Sequence, residues 1–162
     1  MQKNIRLYIS VCATICCLFN FTGLHAQRSG FAANGDYTLS AITLEDNSMQ
    51  DALQGVPVFE DASINCLLNS QWLFSKGEGY YKINSASACA RGMRQIDWKF
   101  FNLKGTNFFQ FVRTSAAHGI RADVHDIYIC EVKSSEKQTF TLRYPILFAD
   151  KPNAILFTFT HQ

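Results

Sequence analysis

The sequence has few features that are typical of an enzyme or of a nucleic-acid-binding protein. It contains no Gly-x-Ser-x-Gly motif, no phosphate-binding glycine loop and no His-Glu-x-x-His motif. Charged residues make up only 17% of the chain, with 15 basic and 13 acidic side chains. Two of the basic residues, Lys3 and Arg6, belong to an N-terminal signal, so the rest of the chain carries no net charge. This balance gives no argument for nucleic acid or an anionic membrane as a partner.

Residues 1–26 have the pattern of an export signal. Lys3 and Arg6 precede an apolar run at residues 7–24, and residues 24–26 form an acceptable cleavage site. The run is marginal for crossing a bilayer, so we expect cleavage, with no stable membrane span afterwards. None of its three cysteines follows the small residue that lipidation requires. The remaining 136 residues are enough for one domain, and they show no proline-rich linker, repeat or second-domain boundary.

Three cysteines follow the signal, and a hairpin predicts how two of them pair. Residues 70–83 read as two strands joined at Gly77-Glu78, which places residues whose numbers add to 155 opposite each other. Trp72 then faces Ile83, Phe74 faces Tyr81, and Cys66 faces Cys89, which we expect to form a disulfide in an oxidising compartment. For Cys130 we favour a buried strand position over a reactive thiol.

Alternation of apolar and polar residues predicts an all-β fold. Strands are expected at residues 37–44, within 70–83 (two strands), and at 93–103, 106–113, 127–134, 139–148 and 154–161. Residues 27–36 read as a flexible lead-in. Asp46 or Asn47 can cap a short helix over residues 46–54, between the first two strands. An eight-stranded antiparallel up-and-down β-barrel spanning residues 37–162 buries one face of every strand and leaves no edge unpaired.

Several segments resemble the small lipocalin-like domains of exported bacterial proteins. They are Cys66 with residues 70–74, residues 79–81, Cys89 with residues 94–98, and a closing hairpin over residues 142–160. The Gly-x-Trp of better-known lipocalins is absent, since residues 39–42 read Leu-Ser-Ala-Ile, so the resemblance is to a divergent branch. It implies a cup-shaped site for apolar ligands, and a location in the periplasm or outside a bacterial cell.

The candidate pocket consists of aromatic residues that alternation places inside the barrel. They are Trp72, Phe74, Tyr81, Trp98, Phe100, Tyr144 and Phe157. The leading hypothesis is a non-catalytic module that binds a small lipophilic molecule in the barrel. Because 19 aromatic residues follow the signal, the alternative is a barrel filled by its own side chains. Such a barrel would serve as a structural or protein-interaction domain acting through loops such as residues 114–126.

Metal binding and acid–base catalysis find little support in the sequence. His118 and His125, with Asp123 and Asp126, lie in a loop at no recognised ligand spacing, so we expect a solvated loop and no metal or cofactor. The acidic pairs at residues 45–46 and 60–61 are adjacent, and adjacent side chains of an extended chain point apart. The sequence therefore predicts no enzyme.

Overall fold

The computed structural model describes residues 33–48, 53, 56–59, 62–83, 89, 92–114, 127–148 and 150–162. The strands are β1 (Gly35–Leu44), β2 (Pro57–Val58), β3 (Ala62–Ser63), β4 (Gln71–Ser75), β5 (Glu78–Ile83), β6 (Gly92–Leu103), β7 (Thr106–Thr114), β8 (Ile127–Ser135), β9 (Thr139–Phe148) and β10 (Lys151–His161). All except β2 and β3 belong to one closed antiparallel barrel, in the order β1-β10-β9-β8-β7-β6-β5-β4. The predicted eight-stranded up-and-down barrel is confirmed.

Alternation of side chains explains why these segments form strands with one buried face. In β10, Ile155, Phe157 and Phe159 are at most 2% exposed, whereas the intervening Leu156 and Thr158 are half-buried on the outer face. Successive residues of a strand point to opposite sides of the sheet, so every second residue enters the interior. β10 begins at Lys151, three residues before the predicted start, and pairs along its length with β9.

The β4–β5 hairpin has a different register from the one predicted. Its turn consists of Lys76 and Gly77, at φ 48° and 91°, which is the turn with positive φ at both central residues. Trp72 therefore pairs with Tyr81, where Ile83 was expected, and the two rings stack with centroids 4.4 Å apart. The prediction was wrong because it placed glycine first in the turn. Since the shift is two residues, each side chain keeps its predicted face.

The disulfide between Cys66 and Cys89 is present, with the Cα atoms 5.6 Å apart. Cys66 lies in the short helix α1 (Ile64–Leu67), and Cys89 lies between β5 and β6, so neither belongs to the hairpin. The predicted pairing is confirmed, although the hairpin register does not produce it. Closing a loop of this size contributes about 3 kcal/mol in the chain-entropy estimate.

The two ends of the barrel differ in the length of their connections. At one end, short turns join β4 to β5, β6 to β7 and β8 to β9. At the other end, which we call the mouth, the chain between β1 and β4 crosses the barrel. We define the plug as residues 56–59 and 62–69 of this crossing. Backbone hydrogen bonds join Leu39 of β1 to Asn69 and Ser70 at 2.9 and 3.0 Å, so the end of the plug is fixed to the wall.

The structure does not show the helix predicted over residues 46–54. The Asp46 carboxylate accepts the N–H of Ser48 at 3.0 Å, which holds a local turn after β1. Residues 49–52 and 54–55 lie outside the described residues. The α-helix in the described part of this crossing is α1, one turn long, and its residues Ile64, Cys66 and Leu67 are buried.

Some predictions fall outside the described residues. These are the signal at residues 1–26, most of the lead-in, the loop after β7 with His118 and His125, and the pair at residues 60–61. β1 already begins at Gly35, two residues before its expected start. Gly35 has a φ of 128°, a conformation that residues with a side chain rarely adopt, so this position favours glycine.

The Trp72–Tyr81 stack should carry a large share of the stability. We expect Trp72→Ala to lower the free energy of unfolding by about 3–5 kcal/mol, since it leaves a cavity among rings that are almost fully buried. Met93→Ala is the control because Met93 is 60% exposed. Denaturant unfolding monitored by far-UV circular dichroism measures the free energy of unfolding of both variants. Equal midpoints for the two variants would contradict the packing described here.

Candidate functional site

The structure places the seven predicted pocket residues in or against the interior of the barrel. Trp72, Phe74, Tyr81 and Phe157 are at most 2% exposed. The other three, Trp98, Phe100 and Tyr144, are partly buried and pack against the same core. Whether any of them contacts a ligand stays a prediction.

Ring-to-ring contacts fill the described interior. Phe140 stacks on Phe159 with centroids 4.6 Å apart, and Phe74 meets Phe109 edge to face at 5.6 Å. An eight-stranded barrel is just wide enough for its own side chains, and the large aromatic residues use that width here. This packing favours the filled barrel that the high aromatic count made the alternative.

Phe59 of the plug closes the packed interior at the mouth. Its side chain is 4% exposed, and its ring centroid lies 4.9–5.7 Å from the rings of Phe111, Tyr128, Tyr144 and Phe157. The Tyr128 hydroxyl donates a hydrogen bond to the Phe59 carbonyl oxygen at 2.5 Å. The plug thus supplies the last ring of the core and satisfies a buried polar group.

A cleft of about 400 Å3 lies at the mouth, between the plug and the rim of the barrel. One wall is formed by residues 56–59, and the other by residues 127–128, residues 144–148 and Ile155. Every lining residue that the structure describes is apolar or tyrosine, and none of these residues carries a charge. The volume falls at the lower end of the range typical of small-molecule sites. The described side chains of this cleft therefore suit an uncharged group.

Only Tyr144 of the seven predicted pocket residues lines this cleft. Sequence reasoning missed Phe59, because residues 58–69 show neither a helical nor a strand period. It also missed Tyr128, although alternation within β8 puts Tyr128 on the same face as Cys130. Leu147 was missed because its side chain points outward and is 79% exposed. It lines a cleft because the plug lies near this part of the rim.

A second cleft, of about 460 Å3, lies on the outer wall over β4, β5 and β6. Glu78 and Asp97 are direct cross-strand partners there, and Tyr80 pairs with Gln95 beside them. Two carboxylates placed opposite each other repel. The charged lining does not suit an apolar ligand, so we assign the candidate site to the mouth.

The described residues contain no group of three or more His, Cys, Asp or Glu side chains able to hold a metal ion. Cys130 is fully buried and free, and burial raises the pKa of its thiol. A protonated thiol is a poor nucleophile. The buried strand position predicted for Cys130 is confirmed.

An ion pair fastens the end of β1 to the outer wall. Arg143 donates hydrogen bonds from Nε and Nη2 to Oε2 of Glu45, at 2.9 and 2.7 Å. The hydrogen bond from Arg143 holds the pKa of the Glu45 carboxyl below its ordinary value. The charge on Glu45 thus contributes to the attachment of the chain where it leaves β1 towards the plug.

No protein-family model matches the sequence, and searches of curated proteins and of solved structures also found no match. The resemblance to lipocalin-like domains therefore stays a prediction. Within the described residues, no α-helix has the length and apolar character needed to cross a membrane.

The Glu45–Arg143 pair should make stability depend on pH in a defined direction. Because the folded-state pKa of Glu45 is lowered, its contribution is complete above the unfolded-state pKa and disappears as pH falls through the folded-state value. We expect wild type to exceed Glu45→Gln by about 0.2–1 kcal/mol at neutral pH, with a gap that closes in acid. Denaturant unfolding at several pH values measures this gap. A gap that widened in acid would contradict the assignment.

Cys130 should resist thiol reagents in the folded protein. The thiol is fully buried, so iodoacetamide should leave the Cys130 peptide unmodified in native protein and modify it in guanidinium chloride. Mass mapping of the peptide measures both states. Rapid modification in native protein would mean that β8 opens to solvent.

Proposed function

We propose that this chain is a non-catalytic, lipocalin-like binding domain that holds a small apolar ligand in the cleft at the mouth of its barrel. The observation that supports the proposal best is that the described residues lining that cleft carry no charge. Apolar groups leave water for such a surface with a gain of ~25 cal/mol per Å2 of buried area. The mouth of a β-barrel is a common position for ligand sites.

Tight packing of the barrel axis supports a ligand position at the mouth. The rings of Tyr81, Trp72, Phe74 and Phe109 form a continuous series of contacts with centroids 4.4–5.9 Å apart, and all four side chains are at most 2% exposed. A ligand on the axis would have to displace several of these rings. A ligand in the cleft needs to displace none of them.

We also propose that the domain works outside the cytoplasm, in the periplasm or outside a bacterial cell. The Cys66–Cys89 disulfide supports this location, because such bonds persist mainly in oxidising compartments. The export signal predicted from residues 1–26 agrees with it.

A protein-interaction domain with a filled barrel is the second candidate. It is favoured by the exposed side chains of Ile127, Ile129 and Leu147, which are 42%, 45% and 79% exposed on neighbouring strands near the mouth. Exposed apolar side chains of this kind occur in protein interfaces. Such a domain would bind a partner protein without saturable uptake of small apolar molecules.

A fluorescence titration distinguishes the two candidates. N-phenyl-1-naphthylamine, an uncharged dye that brightens in apolar surroundings, should bind the purified protein saturably. Leu147→Ser should weaken binding by up to about tenfold, since part of an apolar wall is lost. Leu103→Ser is the matched control, because Leu103 is 57% exposed at the opposite end of the barrel.

The control should bind the dye as wild type does. Absence of saturable binding to wild type would remove the ligand-binding proposal and leave the protein-interaction domain. Equal weakening in both leucine variants would place the site away from the mouth.

A further inference from the structure

Phe59 has a backbone conformation that is costly for a bulky side chain. Its φ is 55°, in the left-handed region where glycine is favoured. Conformations of this kind persist only where the surroundings hold them, and they concentrate at ligand clamps and switch segments. The surroundings that hold Phe59 are therefore informative.

Among the residues that the structure describes, four aromatic rings surround the ring of Phe59. The rings of Phe111, Tyr128 and Tyr144 are inclined to it at 82°, 67° and 62°, and that of Phe157 lies at 33°. Edge-to-face and tilted contacts are the geometries that aromatic pairs prefer. The chamber that holds Phe59 thus fits a flat aromatic ring.

The chamber and the mouth cleft share their walls. Tyr128 and Tyr144 border the chamber and also line the cleft, as does Phe59, which occupies the chamber. Removal of the Phe59 ring would therefore extend the cleft inward without moving any strand of the barrel.

The plug is held firmly at its C-terminal part, after Phe59. It is held only weakly in β2 and β3, the strands next to Phe59. Cys66 is fixed by its disulfide, and Asn69 is bonded to β1. β2 and β3, by contrast, are two residues long each and form two cross-strand pairs. Strands this short are marginal alone. The Tyr128–Phe59 hydrogen bond therefore adds a restraint from the barrel wall to the Phe59 backbone.

We propose that Phe59 occupies the inner half of the ligand site, and that a ligand with a neutral aromatic ring displaces it. This inference rests on the proposed function and adds a ligand class and a gating residue to it. Displacement frees Phe59 from its left-handed conformation, which offsets part of the cost of opening. The affinity of the ligand then depends on how easily the plug opens.

A conservative variant tests the gate with the dye named above. Tyr128→Phe keeps the ring but loses the hydroxyl that holds Phe59, so N-phenyl-1-naphthylamine should bind about two- to twelvefold more tightly. Ser40→Ala is the matched control, because it removes a 3.1 Å hydrogen bond to a strand carbonyl on the outer wall. The control should leave the affinity unchanged.

The outcomes separate the two proposals. Absence of saturable dye binding to wild type would contradict the proposed function. Saturable binding that is equal in wild type and Tyr128→Phe would leave that function standing and overturn the gate. Tighter binding in both Tyr128→Phe and Ser40→Ala would reflect a general loosening of the protein. That result would also overturn the proposed gate.

A second variant tests the ligand class. Phe59→Gly empties the chamber and suits the positive φ, so 2-naphthol should compete with the dye at least tenfold better than it does in wild type. 1-Decanol should gain less, because an alkyl chain lacks the edge-to-face contacts. Equal gains for both competitors would overturn the assignment to aromatic ligands.

Discussion

Closure of the sheet through β1 is the constraint on which the rest of the structure depends. β1 pairs with β10 over seven residues and with β4 over four, so no barrel strand keeps a free edge. Closure fixes the interior volume, and the inward aromatic residues fill it. The packed axis leaves the cleft between the plug and the rim, whose described side chains are uncharged, as the position we propose for a ligand.

The strands and their buried faces could be predicted because alternation is a local property of the sequence. Ile155, Phe157 and Phe159 each occupy the face expected of them. The Cys66–Cys89 pairing could be predicted as well, although from a hairpin register that the structure does not have. The hairpin register could not be predicted, because no pattern in the sequence indicates that Lys76 adopts a positive φ. The error left the buried face intact, as a two-residue shift conserves the side of every residue.

The candidate site was predicted much less well than the fold. All seven residues chosen from alternation belong to the packed core or its border, and of these seven Tyr144 alone also lines the cleft. The deciding element is Phe59, which enters from a crossing without periodicity. Its position depends on four rings from β7 to β10 that lie far from it in sequence. Contacts between residues so far apart in the sequence cannot be predicted from a local pattern.

The central claim is that an apolar ligand binds at the mouth while the barrel core stays packed. Two indole N–H groups report on that core, since Trp72 donates to Ser70 Oγ and Trp98 donates to the Glu78 carbonyl, both at 2.8 Å. An amide NMR titration with N-phenyl-1-naphthylamine is the most direct measurement. The account predicts shifts at the amides of Val58 and Leu147 and unmoved indole signals. Shifts of the indole signals without shifts at the amides of Val58 and Leu147 would contradict the account.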